Sequence, residues 1–419
     1  VATTVYALAG GDDFLDRSTA PNTIDMILGV ALIVLVLEAA RRSTGWIMPF
    51  ICILFIVYAM AGPHLPPPWT HRGYDIARLV GTMYMTLEGI FGTPVDVSSS
   101  LIILFTIYGA FLQYSNAGKF FIDFSLAAFG RKATGAGRAV TAASFLLGGP
   151  SGSGVATTVT LGTVAYPMLA KAGYEKNAAG GLLAAGGLGA ILSPPVLGAA
   201  AFLISEFLKI SYLDVIRMAV IPTCLYYFSL LLMVEIDARK HHMRQVRIET
   251  SATVWQLTKT MGFHFLSLAA IIVFLLLGFS PIASVFWATV VAFFVSFLNR
   301  DCALLDLSVF VRRPPGWLPN VLRHSKLSQA LEAGSVSMLS VAATCAAAGI
   351  IVGVVTLTGL GLRFADIVVS YAGGSLILTA IYTALIVWVV GLAVPVTASY
   401  IICAVVAAPA LIKLGVPDF

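Results

Sequence analysis

Long uninterrupted runs of apolar residues constrain this chain more than any other feature of its sequence. A helix needs about 20 apolar residues to cross the hydrocarbon core of a bilayer, whereas the strands of membrane barrels are about 10 residues long and alternate in polarity. Runs of the helical kind lie at about residues 24–40, 46–61, 98–113, 215–235, 262–277, 282–298, 335–357 and 375–390. Hydrophobic residues make up 59 % of the 419 positions and charged residues only 11 %, which is more apolar surface than a soluble fold can bury. The sequence therefore predicts an all-α polytopic membrane protein.

The remaining composition argues against several kinds of chemistry. The chain has no Walker sequence that would bind the phosphates of ATP. Its five cysteines are far apart, without the paired spacing of a metal site or a disulfide framework. Basic residues concentrate in loops at 131–138, 238–249 and 300–326, as the positive-inside rule expects for cytoplasmic loops. We therefore expect a multi-pass membrane protein with no cofactor and no nucleic-acid partner.

Residues 139–172 form an apolar stretch that is interrupted in its middle. Each flanking half is short for a complete crossing, and the interruption reads Gly148-Gly149-Pro150-Ser151-Gly152-Ser153-Gly154. Non-helical backbone at membrane depth is tolerated only where protein or a water-filled cavity covers it. The pattern predicts a re-entrant hairpin that opens to the cytoplasm beside the basic loop 131–138 and has its tip at Ser151–Gly154.

A second interruption lies in the apolar run at 178–208. Here Gly186-Gly187-Leu188-Gly189 is followed, after three further residues, by Ser193-Pro194-Pro195. Consecutive prolines remove two backbone N–H donors and clash with the preceding turn, so a helix must unwind there. The sequence predicts a discontinuous span with its break at Ser193–Pro195, and the alternative is an ordinary proline kink.

The chain also contains an internal repeat. At a spacing of 243 residues, Gly118, Phe121, Asp123 and Gly130 align with Gly361, Phe364, Asp366 and Gly373; at 242, the segment 149–173 aligns with 391–415. Five predicted crossings separate the copies, and because five is odd the second copy enters the membrane from the opposite side. This is the inverted-topology repeat of many secondary transporters. The second copy stops before any equivalent of Gly186–Pro195, so we expect that the sequence is part of a longer chain.

Three further segments read as helices that do not cross the membrane. Lys119–Asp123 and Arg363–Asp366 each carry a basic residue three or four positions before an acidic one, which places both charges on one helix face. We expect matched surface arm helices there. Residues 71–97 are predicted to form an interfacial helix, and the residues on its proposed face are Tyr74, Leu79, Met83, Leu87 and Ile90.

The most specific segments are together typical of one transporter family. They read Ser151-Gly152-Ser153-Gly154-Val155-Ala156-Thr157, Ala172-Gly173-Tyr174, Pro194-Pro195-Val196-Leu197-Gly198-Ala199-Ala200-Ala201-Phe202-Leu203, and Tyr74 with Glu88-Gly89-Ile90-Phe91-Gly92. Over roughly residues 22–419 the chain resembles the large membrane subunit of tripartite ATP-independent periplasmic (TRAP) transporters, in particular the fused small-plus-large permease of the TAXI subgroup. The resemblance implies an elevator-type fold, in which two hairpins and two broken helices carry substrate past a rigid scaffold.

The resemblance also implies a function, a location and a division of the chain. It implies Na⁺-coupled uptake of an organic acid that a periplasmic solute-binding protein delivers, across the bacterial inner membrane. Residues 1–97 would be small-subunit-like fused helices with the interfacial helix, and residues 98–237 the first repeat. Residues 238–334 would be a linker with two scaffold spans, and residues 335–419 the second, inverted repeat.

The predicted substrate and ion site combines the two hairpin tips with the first helix break. Broken helices turn N–H groups and positive dipole ends toward a shared point, which suits a carboxylate, while freed carbonyl groups and hydroxyls suit Na⁺. The candidate residues are Ser151, Gly152, Ser153, Gly154, Thr157, Gly187, Gly189, Ser193, Pro194, Pro195, Pro395, Thr397, Ala398 and Ser399. Among them, Na⁺ is expected at Ser151, Ser153, Thr157 and Gly187. The alternative for each hydroxyl is a hydrogen bond to the backbone of its own helix.

The sequence departs from the family pattern at two places in this site. The family commonly has Asn at the position of Thr157, and a Gln shortly before the paired prolines, where this chain has Gly189-Ala190-Ile191-Leu192. Each departure removes an amide that would ligate an ion or substrate, so the Na⁺ stoichiometry is left open.

Three other functions are left open by the residues alone. One is a stand-alone divalent-anion/Na⁺ symporter that needs no binding protein, and another is a channel subunit. The third, an intramembrane serine hydrolase that uses Ser151 or Ser153, requires a base within hydrogen-bond reach. His264 is the one histidine in the predicted spans, and a transporter rather than an enzyme is the expectation.

Overall fold

Helices make up most of the part of the chain that the computed structural model describes, namely residues 1–129, 134–151, 154–240, 253–305 and 325–417. No β-strand occurs in these ranges. The first helices are α1 (Ala2–Asp16), α2 (Thr23–Thr44), α3 (Ile47–Ala61), α4 (Ile76–Met85), α5 (Thr93–Val97), α6 (Ile103–Tyr114), α7 (Ala117–Phe129), α8 (Gly135–Ser151), α9 (Gly154–Lys171) and α10 (Lys176–Gly189). They are followed by α11 (Ala199–Leu208), α12 (Tyr212–Lys240), α13 (Val254–Met261), α14 (His264–Leu276), α15 (Pro281–Ser296), α16 (Lys326–Thr358), α17 (Leu360–Tyr371), α18 (Leu376–Ala393), α19 (Val396–Ile402) and α20 (Ala408–Lys413).

Several of these helices are suited to cross a membrane. Within the described ranges, six helical segments are long and apolar enough, and α13 with α14 makes a seventh if this pair, bent by 67°, is one span. The six are Thr23–Thr44, Ile47–His64, Thr93–Tyr114, Tyr212–Lys240, Lys326–Thr358 and Val396–Lys413. The predicted all-α polytopic membrane architecture is therefore confirmed. The third span begins at Thr93, earlier than predicted, because a π-helical turn at Ser98–Ile102 joins α5 to α6 without interruption.

The chain divides into two compact units. The first unit contains Val1–Ser99, Glu206–Lys209 and Met338–Phe419, and the second contains Ser100–Ser205 and Ile210–Ser337. The division of the sequence into four functional regions stays a prediction.

A buried carboxylate organises the N-terminal helices of the first unit. Asp25 is fully buried and forms a capping box with Asn22: the Asn22 side chain accepts a hydrogen bond from the Asp25 N–H at 2.8 Å, and the Asp25 carboxylate accepts one from the Asn22 N–H at 3.0 Å. The same carboxylate accepts a hydrogen bond of 2.8 Å from the Tyr6 hydroxyl in α1 and pairs with the Arg17 guanidinium. Helix α1, which the apolar runs did not predict, is thereby attached to α2.

The interfacial helix predicted across residues 71–97 is shorter than expected. Helix α4 ends several residues before Ile90, and Leu87 lies beyond its end with 72 % of its side chain exposed. The chain folds back there, since the Ile90 N–H donates to the Met83 carbonyl at 2.9 Å. Gly89 permits this return, because a Cβ at this position would lie 2.5 Å from the Met83 carbonyl oxygen. The single helical face proposed for the segment is therefore wrong.

The charges of α17 take partners outside their own helix. Asp366 pairs with Lys413 in α20, and the Arg363 guanidinium donates to the Thr70 carbonyl in the proline-rich loop after α3. Nearby, the Tyr74 hydroxyl donates to the Leu357 carbonyl at 2.7 Å. The Arg363–Asp366 spacing therefore does not produce an ion pair, because each group meets a partner from another segment of the first unit.

In the second unit, α7, α8 and α9 share one apolar cluster. Its buried side chains include Ile122, Leu126, Ala139, Val140, Ala143, Leu161, Ala165 and Leu169. The many alanines allow the helix backbones to approach closely, as is usual where helices pack in membranes. Helices α8 and α9 follow one another and pack together, as a helix hairpin requires. The depth of this hairpin in a membrane and the side on which it opens stay predictions.

Helix boundaries recur at the spacing of the sequence repeat. The first residues of α9 and α19, Gly154 and Val396, are 242 residues apart. The same distance along the sequence separates Lys171 at the end of α9 from Lys413 at the end of α20. Both ends are followed by a glycine with positive φ, Gly173 at 92° and Gly415 at 84°, which is the usual way to terminate a helix. This agreement supports the repeat, which with its inverted orientation stays a prediction.

Candidate functional site

The first hairpin tip lies between α8 and α9. Helix α8 ends at Ser151 and α9 begins at Gly154, so the two helices meet at the glycine-rich segment in which the sequence predicts the tip. Gly152 and Ser153 lie outside the described residues, and so does the side chain of Ser151. The roles predicted for these three residues stay predictions.

Behind the tip, α9 and α10 touch backbone to backbone. A Cβ on Gly154 would lie 2.8 Å from the Gly187 carbonyl oxygen, and a Cβ on Gly187 would lie 2.5 Å from the Gly154 carbonyl oxygen and 1.9 Å from Thr158 Oγ1. Real Cβ atoms do not approach so closely. Thr158 itself is fixed by a hydrogen bond of 2.8 Å that its hydroxyl donates to the Gly154 carbonyl. Both candidate glycines are therefore required by the crossing of these two helices.

Helix α8 reaches the same region through small residues. A Cβ on Gly148 would lie 2.5 Å from the Cα of Ala190, the first residue after α10. A Cβ on Gly186 would lie 2.2 Å from the hydroxyl of Ser144, which is fully buried in α8. Few side-chain atoms therefore separate the end of α8, the start of α9 and the end of α10.

Thr157 places an unpartnered hydroxyl in this region. The residue is fully buried in the first turn of α9, three positions after Gly154. Its Oγ1 has no hydrogen-bond partner among the residues that the structure describes. A buried polar atom without a partner destabilises a fold by about 1–3 kcal/mol. Such an atom is therefore a candidate ligand for a bound ion, water or substrate.

The second interruption is a true break in the helix, as predicted, and not a kink. Helix α10 ends at Gly189, α11 begins at Ala199, and the intervening loop is closed by a hydrogen bond of 2.8 Å from the Gly198 N–H to the Ile191 carbonyl. Ser193 is fully buried, and its hydroxyl donates to the Gly189 carbonyl at 2.8 Å. The paired prolines that follow Ser193, Pro194 and Pro195, are half-buried. They have no N–H groups with which to continue the helix.

Side chains from α12 contact this break, and sequence reasoning missed them. The Thr223 hydroxyl lies 2.6 Å from the Leu192 carbonyl oxygen and 2.6 Å from the Ala219 carbonyl oxygen of its own helix, and Tyr226 donates to the Ala185 carbonyl at 2.7 Å. The hydroxyl of Tyr227 lies 3.0 Å from that of Ser193. The Tyr212 hydroxyl accepts from the Leu197 N–H at 3.1 Å and faces the Pro195 carbonyl at 3.3 Å. The available sequence signal was a group of hydroxyl-bearing residues within an otherwise apolar run.

The second tip lies between α18 and α19 in the first compact unit. Pro395 is the residue before α19, and Thr397 and Ala398 are buried in its first turn. The Ser399 hydroxyl donates to the Val394 carbonyl at 2.9 Å. The Ser399 hydroxyl is therefore bonded to nearby backbone, which is the alternative to ligand binding for each candidate hydroxyl.

The structure thus brings together one part of the predicted site. The second unit contains, at the start of α9, the end of α10 and the break that follows α10, the candidate residues Gly154, Thr157, Gly187, Gly189, Ser193, Pro194 and Pro195. Pro395, Thr397, Ala398 and Ser399 belong to the first unit. A site shared by both tips stays a prediction.

The chemistry available at the first tip is that of oxygen atoms. No group of three or more His, Cys, Asp or Glu side chains that could hold a metal ion occurs in the described ranges. The groups present around Gly154 and Gly187 are backbone carbonyls and the hydroxyls of Thr157 and Thr158, and the Ser193 hydroxyl lies at the Gly189 carbonyl. Such a set suits a hard monovalent cation or hydrogen bonds to an anion rather than a transition metal.

Comparison with known proteins identifies the family. The family model described as "Tripartite ATP-independent periplasmic transporter, DctM component" matches residues 31–419. The chain is also 32 % identical over 109 residues to the 2,3-diketo-L-gulonate TRAP transporter large permease protein YiaN of Escherichia coli (strain K12). That alignment spans 26 % of this chain and 26 % of the relative, about a quarter of each. Because the family model covers nearly the whole chain, and the fold is a multi-pass bundle of apolar helices, the protein belongs to the family of large membrane components of TRAP transporters in the inner membrane.

Proposed function

We propose that this chain is the permease of a secondary active transporter, which takes up an organic acid together with Na⁺ after a periplasmic solute-binding protein has delivered it. The family supports the transport of a solute. The relative in Escherichia coli is named for 2,3-diketo-L-gulonate, a sugar acid whose carboxylate belongs to the proposed substrate class. Membership of a transporter family also decides against the intramembrane serine hydrolase.

One observation carries the proposal of Na⁺ coupling. The buried hydroxyl of Thr157 has no partner among the described residues, and it lies one turn from the contact between the Gly154 and Gly187 backbones. Unwound backbone carbonyls beside hydroxyls are the ligands that secondary transporters use for Na⁺. We assign Thr157 as a ligand of the coupling ion, with carbonyl oxygens of the neighbouring helix ends as the others.

The substrate carboxylate is assigned to the same tip. Helix α9 has 18 residues, and it begins at Gly154. Unpaired N–H groups and the positive end of a helix dipole favour negative charge at such a point. In an elevator movement, the hairpin and the broken helix would carry ion and substrate together, which makes transport dependent on both.

Uptake into proteoliposomes tests the proposal. Radiolabelled succinate, pyruvate, glutamate and gluconate are offered with an inward Na⁺ gradient and with an equal K⁺ gradient, each with and without a solute-binding protein from the same genome. We expect saturable uptake of at least one acid that needs both Na⁺ and the binding protein. Uptake that ignores the Na⁺ gradient would contradict coupling, and uptake without the binding protein would favour the stand-alone symporter.

A matched pair of threonines in α9 tests the ion ligand. Thr157→Val removes the hydroxyl with little change in shape, and we expect the half-saturating Na⁺ concentration to rise about tenfold or more, since bonds to charged groups are the strong ones. Thr157→Ser keeps the hydroxyl and should retain most of the affinity. Thr163→Val is the control, because the Thr163 hydroxyl is exposed and bonds to its own helix at the Thr160 carbonyl. An unchanged Na⁺ dependence in Thr157→Val would overturn the assignment.

A further inference from the structure

Four hydroxyl groups of α12 are arranged along one face of that helix. Thr223, Tyr226 and Tyr227 are spaced as i, i+3 and i+4, and Tyr212 lies three turns before Thr223. Residues with these spacings lie on the same side of an α-helix. All four hydroxyls meet atoms of the segment 185–197. These four hydroxyls are therefore placed beside the broken helix.

The opposite face of α12 has a different character. Ile221, Leu225 and Phe228 are 70 %, 65 % and 59 % exposed, as expected for side chains that face lipid. Thr223 and Tyr227 are only 4 % and 9 % exposed. The two faces thus separate the hydroxyls that meet the break from the apolar side chains, so the hydroxyls are not scattered at random along the helix.

The broken helix requires such partners for a physical reason. Residues 190–198 leave the helical path, so their carbonyl groups lose the regular hydrogen bonds of a helix. An unsatisfied backbone group in hydrocarbon costs several kcal/mol. In the loop, the Leu192 carbonyl oxygen lies 2.6 Å from the Thr223 hydroxyl, whose one proton is shared with the Ala219 carbonyl of its own helix, also at 2.6 Å. Tyr226 donates to the Ala185 carbonyl within α10 at 2.7 Å. The first contact replaces a missing helical bond, and the second attaches α10 to α12 shortly before the loop begins.

Hydrogen bonding at Ser193 connects α12 to the end of α10. The Ser193 hydroxyl has one proton, and it is donated to the Gly189 carbonyl at 2.8 Å. The contact of 3.0 Å between Ser193 and Tyr227 therefore has Tyr227 as the donor. A directed chain of bonds runs from Tyr227 through Ser193 to Gly189. A Cβ on Gly189 would lie 2.6 Å from the Tyr227 hydroxyl oxygen, so the two helices approach closely here.

We infer that Thr223, Tyr226 and Tyr227 are positioning residues, which set the backbone geometry of the break between α10 and α11 for ion and substrate binding. This inference rests on the proposed function, since it concerns the site proposed there. Ser193 has a structural role in this chain of hydrogen bonds, because the proton of its hydroxyl is already donated to the Gly189 carbonyl. The three residues act through the backbone that they hold and do not contact the ion themselves.

Two substitutions on α12 test this inference through transport. Tyr227→Phe and Thr223→Val each remove one hydroxyl with little change in shape. We expect the half-saturating Na⁺ concentration to rise about fivefold in each, the ratio that corresponds to one neutral hydrogen bond of ordinary strength, with a smaller change in the maximal rate. Thr223→Ser should restore the wild-type value. Ser229→Ala is the matched control, because the Ser229 hydroxyl is exposed and bonds to the Tyr226 carbonyl of its own helix.

A labelling experiment separates this inference from the proposed function. Leu192→Cys is introduced with Cys224→Ser, since Cys224 is the exposed native cysteine among those described. The rate of modification by a small methanethiosulfonate reagent is then measured in membranes. Tyr227→Phe and Thr223→Val should raise this rate severalfold and Ser229→Ala should not. Equal labelling rates and equal Na⁺ dependence in all variants would overturn the inference. If the wild type shows no Na⁺-dependent uptake, the proposed function fails, while the labelling rates still decide whether α12 holds the break.

Discussion

Replacing Gly187 by alanine tests the contact on which the first tip depends. The added Cβ would lie 1.9 Å from Thr158 Oγ1 and 2.5 Å from the Gly154 carbonyl oxygen. Rotation of Thr158 would relieve the first clash, but it would break that residue's hydrogen bond to Gly154 and leave the second clash in place. Overpacking costs about 1–3 kcal/mol and the lost bond about 1 kcal/mol, whereas alanine is favoured over glycine in a helix by about 1 kcal/mol. We expect a net loss of about 1–3 kcal/mol in the free energy of unfolding, the sum of these terms.

The assay compares apparent melting temperatures of the purified variants in one detergent. Gly181→Ala is the matched control in the same helix, because a Cβ on Gly181 meets nothing within 4 Å. This variant should melt at or above the wild type, and Gly187→Ala below it. Gly187→Ala combined with Thr158→Ala should recover part of the loss, since the Gly154 carbonyl remains in the way. If Gly187→Ala has the same apparent melting temperature as Gly181→Ala, the backbone contact between α9 and α10 is refuted.

Two further substitutions address charges outside the site. Asp25→Asn should lower the apparent melting temperature and make α1 more sensitive to protease, because Arg17 loses its charged partner and Tyr6 loses an ionised acceptor; unchanged melting would contradict the role of this carboxylate. Burial raises the pKa of Asp123, although Lys119 acts in the opposite direction. The folded state therefore favours the protonated form of Asp123. The stabilisation that this carboxyl group contributes is lost as the pH rises through its raised pKa. Asp123→Asn should raise the melting temperature at pH 7 and leave it unchanged at pH 3, so an equal gain at both pH values would speak against burial as the cause.

The positions of helices and breaks were readable from the sequence because they depend on local chemistry. Paired prolines cannot continue a helix, and the gap between α10 and α11 falls around Pro194 and Pro195 as predicted. The end of α8 at Ser151 and the start of α9 at Gly154 likewise fall on the glycine-rich segment, of which residues 152 and 153 lie outside the described part. Apolar runs located the long helices for the same reason, since the length and polarity of a segment decide whether it can cross a bilayer.

The partners of polar groups were not readable, because they depend on which segments meet in space. The hydroxyls of Thr223 and Tyr226 lie in an apolar run and gave no indication that they meet carbonyls about 30 to 40 positions earlier. The helical spacing of Arg363 and Asp366 permitted an ion pair, but Lys413 and the Thr70 carbonyl compete successfully for the two charges. Tertiary contacts of this kind override local spacing.

The contact of Gly154 with Gly187 has a mechanical consequence. Where side chains separate two helices, changes of rotamer can absorb small shifts of one helix along the other. Here the two main chains touch, and a carbonyl oxygen of each lies within 2.8 Å of the point where the other would carry a Cβ. If the hairpin moves by a fraction of an ångström, α10 therefore moves with it, since packed backbones cannot deform gradually. The hairpin and the first half of the broken helix thus form a stiff joint, so a force applied to one of them moves both.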